Sequence, residues 1–253
     1  MIAGELGWNP AKTSRMVSGH ITAAGLDVAR FLVAAEAIPE EIDRVSAVAD
    51  LSPRAYSVQF HPPGLPDMLP TLSYLGASAS TIIAYEPHRL PHLIQTAGYT
   101  ATMLRDNNLL AKKTVRNGAA ARQERQTILS RPTGPVTTAY INETVLSQAL
   151  PGRVAAEQRL HFHTLVRHPR CHLRILPADA YVTAMPGFTL FQDDHGHDVV
   201  TVYTPTAMLV LDAPDHLAPY RQTIARLAAG ALPETDSAAR LLAPGTFGGE
   251  TTY

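Results

Sequence analysis

Tyr85, Glu86, His88 and His92 lie close together in the sequence, and Tyr203 stands far downstream; these are the acid–base candidates of the chain. A histidine beside a carboxylate can shuttle a proton, because imidazole titrates near neutral pH. The remaining histidines are weaker candidates. His161 and His168 share a helical face at a spacing too wide for one metal ion, and the i, i+4 pair of metalloproteases is absent from that helix. His195 and His197 sit in DDHGHD, which reads as a polar hairpin tip. No metal and no cofactor is expected. Cys171 is the single cysteine, so no internal disulfide or zinc–thiolate cage can form, and its setting beside a strand reads as packing. The chain has no G-x-S-x-G, P-loop or G-x-G-x-x-G run.

These residues must be positioned by 253 residues that are 45% hydrophobic, with a net charge of −1. That is enough to bury a core, in one large or two small domains. No apolar run reaches membrane-span length, and MIAGELGWNP lacks the basic and apolar regions of a secretory signal. With one cysteine, the expectation is a cytoplasmic protein without a membrane partner.

Residues 1–56 read as four short helices. Gly7 suits a helix end, Asn9 an N-cap and Pro10 a first helical position. Residues 57–70 are Pro-rich and read as a linker. Helices are expected at Thr71–Tyr85, Leu93–Leu104, Lys112–Arg131, Gln148–His168 and Asp215–Leu232. His172–Leu176, Phe188–Gln192, Val199–Tyr203 and Ala207–Leu211 read as a small antiparallel meander. The expected fold is α+β. An N-terminal helical segment precedes a helical and small antiparallel-sheet domain at 71–242, and 243–253 is a loose tail.

The run LGWNPAKTSRMVSGHITAAGLDVARFL resembles a partial helix-turn-helix of the phage-repressor kind, with Ser14-Arg15 and Gly19 where that pattern has them. The match begins about one helix into the pattern, and Val17 stands where a Glu is usual. The longer match follows. TIIAYEPHRLPHLIQTAGYTATML, RQERQTIL, INETVL, RCHLRILPADAYVTAMPGFTLFQ and YRQTIARLAAGALPETDSAARL occur in order. Together they resemble the actinobacterial, antitoxin-like helix-turn-helix transcriptional regulators that carry a large C-terminal domain.

That resemblance implies DNA contacts from Asn9, Lys12, Thr13 and Arg15, a homodimer, and a C-terminal domain that senses a small molecule or a small partner protein. It implies an alternative too: a repurposed member, without DNA binding, whose pocket binds an apolar substrate or guides its reaction. Tyr85, His88, His92, Gln95, Tyr99 and Tyr203 are the candidates for that pocket. Against the family pattern, His92 replaces a Gly, Gly76 and Ser78 fall at usually acidic positions, and Tyr203 falls at a Glu. If those positions share a cavity, it has lost carboxylates and gained rings. The electrostatics are poor for DNA. Over residues 1–50, four basic side chains (Lys12, Arg15, Arg30, Arg44) face seven acidic ones (Glu5, Asp27, Glu36, Glu40, Glu41, Asp43, Asp50), a net −3.

Overall fold

The structure is a computed structural model. It describes residues 2–18, 23, 25–50, 56–60, 69–106, 115, 118–120, 122–123, 126–131, 133–180, 186–204 and 206–248. The architecture is α+β, with N-terminal helices preceding a domain built on a seven-stranded sheet. The chain divides into two compact units, 1–57 and 58–253.

The first unit holds α1 (Ile2–Glu5), α2 (Pro10–Val17), α3 (Gly25–Ala34) and α4 (Pro39–Asp50). Gly7, at φ 65°, turns the chain after α1, a conformation that a side chain disfavours. The Asn9 side chain caps α2 by accepting a hydrogen bond from the Ala11 amide at 2.8 Å, and Pro10 opens the helix. Gly19 lies outside the described residues. Among those described here, only Ala3 is buried, while Leu26, Val33 and Ile38 are exposed.

The strands are β1 (Tyr56–Phe60), which spans the boundary between the units, and, in the second unit, β2 (Thr81–Glu86), β3 (Val136–Asn142), β4 (Cys171–Leu176), β5 (Phe188–Gln192), β6 (Asp198–Tyr203) and β7 (Ala207–Leu211). Their spatial order is β1-β7-β6-β5-β2-β3-β4. β5, β6 and β7 form the expected antiparallel meander. β4 is not part of it. It pairs in parallel with β3, which pairs in parallel with β2. Parallel neighbours need crossovers, and helices supply them. α5 (Leu69–Ser78) leads into β2, α6 (Ala97–Asp106) lies in the β2–β3 crossover, and α7 (Glu143–Leu146) and α8 (Gly152–Leu165) make the β3–β4 crossover; α9 (Pro214–Gly230) and α10 (Glu234–Leu241) follow β7.

Strand alternation divides the core. Ile82, Ala139, Ile141, Leu173, Ile175 and Phe191 face a cluster shared with Leu72, Tyr99 and Phe162. Tyr85, Tyr140, Phe188, Leu190, Val200 and Val202 face the other way, against Leu217 and Leu227 of α9. Burying both sheet faces accounts for strands that are apolar almost throughout.

Several expectations need correction. Thr71–Tyr85 is not one helix: α5 ends at Ser78 and β2 begins at Thr81. Tyr56–Phe60, where the linker was expected to begin, is a strand, and 61–68 lie outside the described residues. The helix expected from Lys112 to Arg131 is described only in part and closes in a 3-10 turn at Thr127–Ser130. α8 ends at Leu165, so His168 is past the helix that was to carry it beside His161. The tail is not loose through its first half. Phe247 is fully buried and stacks on Phe162 at 5.9 Å, because this single apolar ring completes the core beside Tyr99.

Candidate functional site

The site is a recess on one face of the sheet. α5 supplies Leu72 and Gly76, and β2 supplies Ile82 and Ala84, two residues apart on one face of the strand. A 3-10 turn at His92–Ile94, formed where Pro91 ends the extended chain, brings in His92 and Leu93. Ile128 closes one side. Thr189 and Phe191 of β5 and Tyr203 of β6 complete it. The empty volume is ≈ 380 Å³ counted to the open mouth.

Among the described residues, no carboxylate, lysine or arginine lines it. The polar groups are the His92 imidazole, the Tyr203 phenol and the Thr189 hydroxyl. His92 is buried and meets Tyr203 edge-on, with ring centroids 5.2 Å apart. The His92 carbonyl accepts from the Gln126 side chain at 2.9 Å, which fixes the turn.

Of the residues expected to form a pocket, the fold brings only His92 and Tyr203 to this recess. Gln95 and Tyr99 are buried just behind the turn, and their polar atoms are committed. Gln95 Nε2 donates to the Leu90 carbonyl at 2.6 Å, and its Oε1 accepts from the Thr100 hydroxyl at 2.9 Å. The Tyr99 hydroxyl accepts from the Leu90 amide at 3.1 Å. Tyr85 faces the opposite core, against Phe188 at 6.1 Å. His88 is exposed.

Of the four positions that depart from the family pattern, Gly76, His92 and Tyr203 line the recess together. Ser78 does not; it is exposed and returns its hydroxyl to the α5 backbone. Sequence reasoning missed Ile82, Ala84, Thr189 and Phe191. FTLFQ reads as a strand, which puts Thr189 and Phe191 on one face, but TIIAYE is apolar almost throughout, and reading Thr71–Tyr85 as a helix hides Ile82 and Ala84.

Glu86 lies at the end of β2 and is nine-tenths buried. Burial pushes its carboxyl above the ordinary range, against the pull of Arg89 and Arg122. Arg89 Nε approaches it at 3.2 Å. A methyl on Gly187 would stand 2.4 Å from this carboxyl, so the group is pressed against backbone. Cys171 is buried, and burial pushes its thiol up to about 12, which excludes a thiolate nucleophile near neutral pH. At the 193–198 hairpin, Asp193 accepts from the His195 and His197 amides and meets His197 Nδ1 at 2.9 Å. Among the described residues, no three His, Cys, Asp or Glu side chains converge as metal ligands would.

In the helical unit, Asn9 is occupied as the cap of α2. The Thr13 hydroxyl donates to the Asn9 carbonyl at 3.4 Å. Lys12 pairs with Asp27 at 3.1 Å and stands 4.9 Å from the centre of the Trp8 ring, on which Arg30 also lies at 5.6 Å. Arg15 is exposed, and its Nε donates to the Ala11 carbonyl at 3.2 Å.

Residues 69–243 match the domain of unknown function DUF5753, and the chain belongs to that family. No match is found among curated proteins. A solved structure that aligns with it is that of TrmBL2, an archaeal chromatin protein described as showing a novel mode of DNA binding. The identity is 10% and the TM-score 0.34, over 76% of this chain. The chain spans 60% of that protein's length. At that score the likeness carries no argument. No helix among the described residues is long and apolar enough to cross a membrane.

Proposed function

We propose that this DUF5753 member is a ligand-responsive regulator of the antitoxin-like kind. Its 69–243 domain binds a small neutral molecule in the recess. The N-terminal helical unit is the output module, a homodimeric contact to DNA or to a small partner protein. The observation that carries the ligand half is the recess itself, uncharged and ring-lined, with His92 and Tyr203 in contact. Ligand sites are mostly apolar concavities with a few placed polar groups. A charged ligand buried here would meet no counter-ion among the described lining residues, at a cost of several kcal/mol. Of the acid–base candidates, Tyr85 and Glu86 are packed away from the recess and His88 is exposed, which leaves no carboxylate beside His92 and Tyr203 among the described lining residues.

One observation favours the second reading, a repurposed member that no longer contacts DNA. Lys12 is engaged by Asp27 and Trp8 in a segment of net charge −3, so Arg15 is the main groove-facing cation left. Two measurements test the pair. Native mass spectrometry of freshly purified protein should find a bound small molecule that is lost in Gly76→Leu. A gel shift at low salt, with DNA from upstream of the gene, should retard in the first reading and fail in the second. A ligand-free protein with unchanged behaviour in Gly76→Leu sinks the ligand half of both.

A further inference from the structure

Thr201 is fully buried on β6, and among the described residues its hydroxyl has no hydrogen-bond partner. A buried unmade hydrogen bond costs about 1–3 kcal/mol, so such a group calls for an account. Its position supplies one. Thr201 stands directly across the antiparallel ladder from Thr189, which lines the recess. It also lies two residues before Tyr203, so both side chains share the face of the sheet that forms the floor. Thr201 does not itself line the recess; it stands directly behind that floor, beside Thr189, which does. The rings of Tyr203, His92 and Phe191 line the same recess, and none of its described lining residues is a carboxylate, lysine or arginine.

Building on the ligand-binding reading above, we propose that the recess takes a neutral aromatic molecule bearing one hydroxyl or carbonyl. Its ring packs edge-on among His92, Tyr203 and Phe191, and its oxygen reaches the Thr189–Thr201 pair of hydroxyls. Aromatic rings favour the offset and edge-to-face contacts that this set of rings presents. The oxygen satisfies a donor and acceptor that the protein leaves unmade. A carboxylate or ammonium on the same ring is rejected, because none of the described lining residues neutralises it.

The test uses full-length protein and four single-ring probes: p-cresol, toluene, benzoate and benzylammonium. Cyclohexanol serves as a non-aromatic control. Dissociation constants come from ligand-observed NMR, and Gly76→Leu locates binding to the recess. One neutral hydrogen bond is worth about 0.5–1.5 kcal/mol, so p-cresol should bind roughly threefold to tenfold more tightly than toluene. The charged probes should bind least. Thr201→Val keeps the side-chain shape and deletes the unpaired hydroxyl. It should leave thermal stability undiminished, leave toluene unchanged, and reduce p-cresol to the affinity of toluene.

Equal binding of p-cresol and toluene, or an unaltered p-cresol constant in Thr201→Val, overturns the hydroxyl assignment. Tighter binding of benzoate or benzylammonium overturns neutrality. Binding of cyclohexanol without the aromatic probes overturns the ring assignment but leaves the recess a ligand site. Failure of all five overturns both the inference and the reading on which it rests.

Discussion

Gly76→Ala is the sharpest probe of whether the recess is empty space. Gly76 lies inside helix α5, where alanine is favoured over glycine by about 1 kcal/mol. Among the described residues, a methyl there would come within 2.9 Å of one atom, the Ile128 Cδ1. That atom is the end of a flexible side chain that itself borders the recess, so it can swing toward open volume. Moving it off its rotamer costs about 0.5–1 kcal/mol. The two effects nearly cancel, and the variant should unfold within about 2 °C of the parent, on the high side. Gly187→Ala is the contrast. Its methyl would stand 2.4 Å from the Glu86 carboxyl carbon, which is buried and tied to Arg89, so overpacking of about 1–3 kcal/mol has no relief. Differential scanning calorimetry of both variants decides the matter. A loss above about 1 kcal/mol in Gly76→Ala means that no slack exists at Ile128, and the recess is then too tight to admit a ligand.

Three further outcomes are expected. Phe247→Ala should lose about 3–5 kcal/mol in urea unfolding, the cost of a fully buried aromatic ring, whereas a loose tail would lose nothing. Glu86→Gln tests the raised carboxyl. The native state holds its proton above the pH at which the unfolded chain releases it, so the stability from this group is full below the ordinary carboxyl value and falls as pH rises through the native one. The neutral amide should remove that decline with rising pH, and urea midpoints that fall more at pH 8 than at pH 4 in the variant contradict it. If the helical unit does retard DNA, Arg15→Ala should lower the salt slope by about one phosphate contact. Lys12→Ala should lower it less, since Asp27 already holds that ammonium; a larger effect of Lys12 reverses the assignment.

The antiparallel half of the sheet was legible because β5, β6 and β7 are bounded by turn residues, with DDHGHD between the first two. The parallel half was not. TIIAYE and VTTAYIN are strands covered on both faces or nearly so, and a short apolar run of that kind has no alternation to separate it from a helix. Asn142 compounds this, since β3 ends where its side chain caps α7 through the Thr144 amide, so INETVL carries a strand end and a helix start together. At the candidate site, His92 and Tyr203 stood out as rings at unexpected positions. Thr189, Phe191 and Ile128 did not, because sheet register and a distant 3-10 turn bring them there, and neither is written in local spacing.

The Tyr85-Glu86-Pro87 run shows why nearness in sequence misassigned the chemistry. In a strand, adjacent side chains leave on opposite faces. Tyr85 therefore joins the core beneath α9, while Glu86 joins the face that holds Ile82 and Ala84 of the recess. The carboxyl does not reach the recess. It sits at the end of the strand, with Arg89 on one side and the Gly187 backbone against it. A substrate atom placed beside that carboxyl would have to occupy the space into which a Gly187 methyl already fails to fit. Glu86 thus acts as a clamp between β2 and the approach to β5, and its charge, where present, is spent on Arg89. This arrangement leaves the floor of the recess to Ala84 and Thr189, with no charged side chain among its described lining residues, which is the condition that the proposed selection of a neutral ligand requires.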